Sequence, residues 1–183
     1  MSAELWNQIW RNTEKFIRGI LIQQNMGNPA GAMTTSLDLP TGYTAPTPPT
    51  TPESRDLIHC EPELVRRYLL LKQMYATQTG RCLFETCTWR SSNKQQDLYR
   101  IGRRGVVGEK TVTQIDGVTK RSRHNFFPAQ AIDVCVDSDP GPGKVAVWDR
   151  HSYEPLGPLA AEFGLVWGGN WHIDDYPHLE LPG

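Results

Sequence analysis

The chain has 183 residues, enough for one enzyme-sized domain and a short appendage but tight for two full domains. Its 19 basic and 20 acidic residues leave a net charge of -1, which removes the simplest electrostatic support for nucleic-acid binding. Hydrophobic residues at 38% suffice for a core, and no apolar run approaches the ~20 residues of a membrane-crossing helix. The early stretch Gly19 to Ile22 is too short for a signal-peptide core, so the expectation is a chain made without a secretion signal. Four cysteines (Cys60, Cys82, Cys87 and Cys135) are too few for a disulfide scaffold. Cys82 and Cys87 can pair under oxidising conditions, but reduced, partly buried thiols are the preferred reading. With no second closely spaced cysteine pair, a zinc ribbon is not expected.

Residues 1–25 read as an amphipathic N-terminal helix. Trp6, Ile9, Trp10, Phe16, Ile17, Ile20 and Leu21 recur at three- and four-residue steps. Such a helix suits docking on a partner, a second subunit or a membrane surface. Its three positive and two negative charges attract anionic lipid weakly, so packing on its own domain or on another subunit is preferred. Residues 26–54 read as a linker: five prolines, five threonines and no charge lie from Pro40 to Pro52. The third division is 55–183.

Within it, Pro62 opens a helix carrying Leu64, Val65, Tyr68, Leu69 and Met74, and Gly80 stops it. Cys82 to Trp89 reads as a strand. Ser91 or Ser92 caps a helix running to about Arg103. Residues 105–121 suggest short strands through Val106, Val107, Val112 and Ile115. Ala131 to Val136 reads as a strand, Asp139 to Lys144 as a connection, and Val145 to Trp148 as a short strand. A helix from about Pro158 to Phe163 stops at Gly164, and His178 to Leu181 is the last strand. Strands and helices mix without a βαβ rhythm, which predicts an α+β fold.

Three polar residues interrupt apolar or aromatic surroundings: His124 in Ser-Arg-His-Asn, Asp133 in Ala-Ile-Asp-Val-Cys-Val, and His178 in Asp-Tyr-Pro-His-Leu-Glu-Leu. Two imidazoles and a carboxylate are a common ligand set for catalytic zinc, with the fourth position left to water. A nearby acid must then take a proton from that water, and Asp175, three residues before His178, is the candidate. The competing reading makes Asp133 a buried hydrogen-bonding residue and His124 a surface one. Ser122 as the nucleophile of a Ser-His-Asp hydrolase is weak, because no nucleophile elbow surrounds it.

The stretch from Trp89 to Leu181 resembles the zinc peptidases of the D-Ala-D-Ala carboxypeptidase and L-alanyl-D-glutamate endopeptidase group, which includes VanY-type enzymes and phage endolysins. Four pieces carry the resemblance in order. They are Thr-Trp-Arg-Ser-Ser-Asn-Lys-Gln-Gln-Asp-Leu-Tyr, with Arg90, Gln95, Leu98 and Tyr99 in register; Ser-Arg-His-Asn with Ala-Ile-Asp-Val; Gly-Leu-Val-Trp-Gly-Gly-Asn-Trp; and Asp-Tyr-Pro-His-Leu-Glu-Leu. One departure stands out. Asp133 follows His124 by nine positions with no glycine between, whereas the commonest family motif is shorter and has one.

The resemblance implies a small, mostly antiparallel sheet flanked by helices, of the Hedgehog/DD-peptidase type. It implies His124, Asp133 and His178 as Zn2+ ligands and Asp175 as the general base. Arg90 is then the partner of the developing oxyanion or of a substrate carboxylate. Ser122 and Gln95 support the site by hydrogen bonds, with capping or surface polarity as the alternative. Glu180, on the same strand face as His178, orients that ligand. Trp167, Trp171 and Tyr176 either flank the substrate or belong to the core. His172 is read as partly exposed, and His59 and His151 as surface residues. The implied activity is zinc-dependent hydrolysis of peptidoglycan stem peptides, with L-Ala-D-Glu endopeptidase preferred and D-Ala-D-Ala carboxypeptidase the alternative. The implied partner is a bacterial peptidoglycan peptide, and the place of action is the cell wall, after phage-mediated release or as part of a virion. A non-catalytic module of a phage particle is the competing function.

Overall fold

The computed structural model describes residues 47–139 and 143–183. The expected N-terminal helix and most of the expected linker lie outside the described residues. Thr47–Gly183 forms one unit. Its helices are α1 (Pro62–Thr79), α2 (Ser92–Arg100), α3 (Arg150–Tyr153) and α4 (Leu156–Glu162), and its strands are β1 (Cys82–Cys87), β2 (Ala131–Asp137), β3 (Ala146–Val147), β4 (Val166–Trp167) and β5 (His178–Glu180).

Pro62 opens α1, where its missing N–H costs nothing, and Gly80 closes it in the left-handed conformation. Between them Leu64, Val65, Tyr68, Leu71 and Tyr75 form a buried stripe at helical spacing. Leu69 and Met74, also expected to face inward, are half-buried. The stripe packs on the sheet beside α4, whose Leu156, Leu159 and Ala160 are equally buried.

The sheet is antiparallel, in the order β1-β2-β5-β4, with β3 also pairing β2. The α+β expectation therefore holds. β2 is the central strand: Ile132, Val134, Cys135 and Val136 are fully buried, and Asp133 alone in that run is half-buried. The register places Asp133 opposite His178 of β5 on one side and opposite Cys87 of β1 on the other. Directly opposed residues of antiparallel strands project to the same face, so register alone brings Asp133 and His178 together.

Several sequence expectations need correction. Residues 105–121 contain no strand: they run as turns and irregular chain between α2 and the 3-10 turn Arg123–Asn125. α2 ends at Arg100, short of Arg103. The preferred reading of Cys82 and Cys87 as reduced thiols, by contrast, holds, for the two sit at opposite ends of β1. Five residue steps at ~3.3 Å hold them far beyond disulfide reach, and all four cysteines are free. The segment Pro52 to Ser54, expected to be linker, pairs with the chain around Arg90. Ser54 N donates to Trp89 O, Thr88 N to Ser54 O, and Ser91 N to Pro52 O, at 2.7–2.8 Å. Those backbone groups gain partners that a solvated linker would leave to water.

Candidate metal centre and active site

His124 is held by its own local chain. The Ser122 hydroxyl accepts from His124 N at 3.3 Å, and the Asn125 side chain accepts from Ser122 N at 2.9 Å, a reciprocal cap on a single 3-10 turn. Ser122 thus acts as a cap, the alternative reading weighed for it. Asn125 also donates to Arg90 O at 2.8 Å, and Arg90 N donates to His124 O at 3.0 Å, so the turn is pinned to the start of α2. The unusual spacing to Asp133 is absorbed by docking: Ala129 N donates to His59 O and Glu61 N to Ala129 O, which ties the extra residues to the segment before α1.

The imidazole of His124 is buried at 2% exposure. Its Nδ1 lies 2.6 Å from Thr88 O, a carbonyl that can only accept, so Nδ1 carries the hydrogen. Nε2 is then a lone pair. His178 is arranged in the mirror sense. Its Nε2 faces the Glu180 carboxylate at 3.1 Å and carries the hydrogen, which leaves Nδ1 as the lone pair. These two lone pairs and Asp133 Oδ1 converge: His124 Nε2 to Asp133 Oδ1 is 3.0 Å, His178 Nδ1 to Asp133 Oδ1 is 3.0 Å, and His124 Nε2 to His178 Nδ1 is 3.3 Å. Three acceptors at that separation repel one another unless a cation sits among them, a role that a proton on His124 fills in the metal-free chain and that a metal ion can take over. Ligands at ~2.0–2.2 Å from a tetrahedral zinc are ~3.3–3.6 Å apart, a little wider than this triangle of 3.0–3.3 Å. The donor set therefore fits zinc.

Cys87 is the other sulfur or nitrogen ligand nearby, forming with His124 and Asp133 a group whose ligand atoms lie within 4.8 Å of one another. Its Sγ, however, approaches His124 Nδ1, at 3.9 Å, the nitrogen already given to Thr88. It stands on the wrong edge of the ring, and one ion cannot be held by both edges. His178 Nδ1, by contrast, lies 3.3 Å from His124 Nε2, on the same ring edge that meets Asp133 Oδ1.

The electrostatics agree. Burial alone would lower the pKa of His124, but the charge and hydrogen bond of Asp133, with a smaller part from Cys87, lift it to about 10. His178 is raised against the same burial, by Asp133 and Glu180. Burial would raise Asp133, yet the two imidazoles hold it well below the usual carboxylate range. These shifts all favour a positive charge held between the two imidazoles and Asp133.

Asp175 is exposed, but its carboxyl is hemmed in enough to be pushed above its ordinary value. Asp133 adds to the push, while His178, His124 and Arg90 pull the other way. Its backbone is fixed from two directions: Asp175 N donates to Gly168 O at 3.0 Å, and Asp175 O accepts from His178 N at 3.1 Å. Pro177 O accepts from Val134 N at 2.9 Å, so the turn between candidate base and candidate ligand is stitched to β2. Arg90 reaches Asp133 Oδ2 through Nη2 at 3.3 Å and Gln95 Oε1 through Nη1 at 3.0 Å, while its Nε is buried without a partner. Trp171 is 39% exposed and lays its ring against His178, centroids 4.9 Å apart. Trp167 is core, and it donates from Nε1 to Tyr176 O at 2.8 Å. Tyr176 is half-buried against Trp167 and Tyr153. His172 and His151 are exposed, and His59 is bonded to Ser54 Oγ at 2.8 Å.

The structure thus brings His124, Asp133, His178, Asp175, Arg90, Gln95, Glu180 and Trp171 into one neighbourhood. Sequence reasoning missed Thr88, which acts through a backbone carbonyl and carries no side-chain signal. It also missed Gly168, whose Gly-Gly context was noted but whose contact with the Asp175 turn was not.

Residues 116–181 match the family model described as D-alanyl-D-alanine carboxypeptidase. The resemblance of this chain is to that family. The carboxypeptidase-family match includes Ser122, His124, Asp133, Trp171, Asp175, His178 and Glu180, and Arg90 and Gln95 precede it. No curated protein matches the chain. Among solved structures it is similar to the L-Ala D-Glu endopeptidase ChiX of Serratia marcescens, at 24% identity and a TM-score of 0.48, over 73% of this chain and 88% of that chain.

Proposed function

We propose that this chain is a zinc-dependent peptidase of peptidoglycan stem peptides. The observation that carries the reading is the triangle of three convergent acceptors, His124 Nε2, Asp133 Oδ1 and His178 Nδ1, 3.0–3.3 Å apart. His124, Asp133 and His178 would hold the metal, which would supply the acidity of a bound water and the polarisation of the scissile carbonyl. Asp175, held beside His178 and raised in pKa, accepts a proton from the attacking water and returns it to the leaving amine. The Arg90 guanidinium, held by Asp133 and Gln95, is the candidate partner of an oxyanion or a substrate carboxylate. Glu180 and the Thr88 carbonyl fix the hydrogens of the two imidazoles. Trp171 provides an exposed aromatic wall for the peptide.

The bond we assign is L-Ala-D-Glu, with the cell wall as the place of action and a phage lytic or virion-associated protein as the setting. Removal of a terminal D-Ala is the second reading, favoured by the description of the matched family.

The test is metal content together with digestion of purified peptidoglycan, for wild type and Asp175→Ala. About one zinc per chain in both proteins, with hydrolysis lost in the mutant alone, is the expected result. Mass spectrometry of the products separates a new D-Glu amino terminus from free D-Ala. Zinc without hydrolysis of any stem peptide would favour a non-catalytic module, and absence of stoichiometric metal would overturn the reading.

A further inference from the structure

Between α2 and the His124 turn lies a connection of 21 residues, 101–121, without helix or strand. Connections of that length inside a compact unit are uncommon and usually functional. This one is built rather than loose. Arg103 stacks on Tyr99, its guanidinium carbon 3.8 Å from the ring centroid, and donates to Thr113 O at 3.0 Å and to Gln114 Oε1 at 2.8 Å. Glu109 accepts from Gly102 N at 2.8 Å and pairs with Arg104 at 2.6 Å. Asp116 accepts from three successive backbone N–H groups. Val106, Val107, Val112 and Val118 meanwhile remain 58–100% exposed.

One side chain joins this loop to the active site. Gln95 is 2% exposed, and its whole amide is in use. Oε1 accepts from Arg90 Nη1 at 3.0 Å, while Nε2 donates to Ile115 O at 2.9 Å and lies 3.4 Å from Thr113 Oγ1. The orientation is forced, because a guanidinium only donates and a carbonyl only accepts. Gly117 seats the loop on the stem of the same residue. It has φ +77, and an added Cβ there would stand 2.7 Å from Gln95 Cβ and 2.8 Å from Cγ. Arg90 in turn reaches Asp133 Oδ2. The path from loop backbone to candidate metal ligand thus passes through two side chains.

We propose that Gln95 is a positioning residue through which the 101–121 loop sets the aim of Arg90. The loop is therefore part of the catalytic apparatus although none of its side chains enters the metal site. The kinetic part of this inference rests on the peptidase reading, whereas the coupling itself does not. Without Gln95, the guanidinium keeps only Asp133 and swings about it. Pushing the loop off Gln95 at position 117 moves the same guanidinium from a distance.

The experiment uses the full-length, zinc-loaded chain as wild type, Gln95→Leu, Gly117→Ala and the double variant. The Arg90 Nε–H resonance, identified by its loss in Arg90→Lys, is followed by nitrogen-15 NMR, and kcat and KM are measured on a stem peptide. Each single variant is expected to move the Arg90 resonance and speed its solvent exchange, with zinc content unchanged. Each is expected to lower kcat/KM by about tenfold, since small misplacements of a catalytic group cost factors of that order or more. The double variant should be no worse than Gln95→Leu alone. Losses that multiply in the double variant, or an Arg90 signal that Gly117→Ala leaves in place, would overturn the proposal. Gly117→Ala retains every polar group of the relay and decides the matter by itself if Gln95→Leu does not fold. If wild type hydrolyses no stem peptide, the peptidase reading fails while the NMR comparison still decides the coupling.

Discussion

Replacing Gly168 with alanine puts a single methyl group into the turn that carries the candidate base. Its Cβ would stand 2.5 Å from Asp175 O, 3.0 Å from His178 Cβ and 3.1 Å from Asp175 Cβ, where ordinary contact begins at 3.4 Å. The Asp175 carbonyl must recede by the difference, 3.4 - 2.5 = 0.9 Å. That carbonyl accepts from His178 N, and Asp175 N donates to Gly168 O, so the shift passes directly to the carboxylate's attachment point. A displacement of this size at a catalytic group costs ~100-fold in turnover, or about 2.7 kcal/mol of barrier. Overpacking adds about 1–3 kcal/mol of lost stability. The assay is kcat on a stem peptide per zinc-loaded molecule, with thermal unfolding recorded beside it. Gly169→Ala is the control: its Cβ would meet the Trp167 ring at 2.2–2.4 Å, a clash in the core rather than in the Asp175 turn. It should cost stability while sparing turnover of the folded fraction. A folded, zinc-loaded Gly168→Ala protein with kcat within threefold of wild type would refute the assignment of Asp175 or of its brace.

Two further outcomes follow from the same geometry. Glu180→Gln weakens the acceptor that fixes the His178 hydrogen at 3.1 Å, and zinc affinity measured by competition with a chelator should fall by about 10- to 100-fold. An unchanged affinity would show that Glu180 does not orient the ligand. In metal-free protein, the raised pKa of His124 means that its proton stabilises the fold. That contribution is full below the ordinary value of 6.5 and is lost as pH rises through about 10. Melting temperature of chelated protein should therefore decline from pH 7 to 10, while zinc, taking the proton's place, should flatten the curve. A flat curve without metal would contradict the convergent-acceptor geometry.

The site was legible where chemistry clashed with its setting. Asp133 stood out because the strand around it is otherwise apolar, and Glu180 because it shares a strand face with His178. The Pro62 to Gly80 helix was readable from its ends and its buried stripe. Residues 105–121 misled because valines at short intervals mimic a strand. The segment has no sheet partner and is held instead by Arg103, Glu109 and Asp116, whose side-chain bonds to nearby backbone no periodicity encodes. Pro52 to Ser54 looked like linker by composition, yet backbone pairing does not depend on side-chain type. The choice between Cys87 and His178 as third ligand is likewise a matter of which ring edge each one meets, and spacing is silent on that.

Asp133 has Cα partners on both flanks, Cys87 from β1 and His178 from β5. About forty residues of chain separate β2 from each of those strands, so neither pairing is local. Both contacts pay a large loop-closure cost before they return anything, which is the usual reason that non-local sheets assemble slowly. A sheet without β5 would leave Asp133 without His178 and so without the triangle. An ion held by His124, Asp133 and His178 would thus report completed folding, as a latch joining β2, β5 and the Arg123–Asn125 turn that only the finished fold can close.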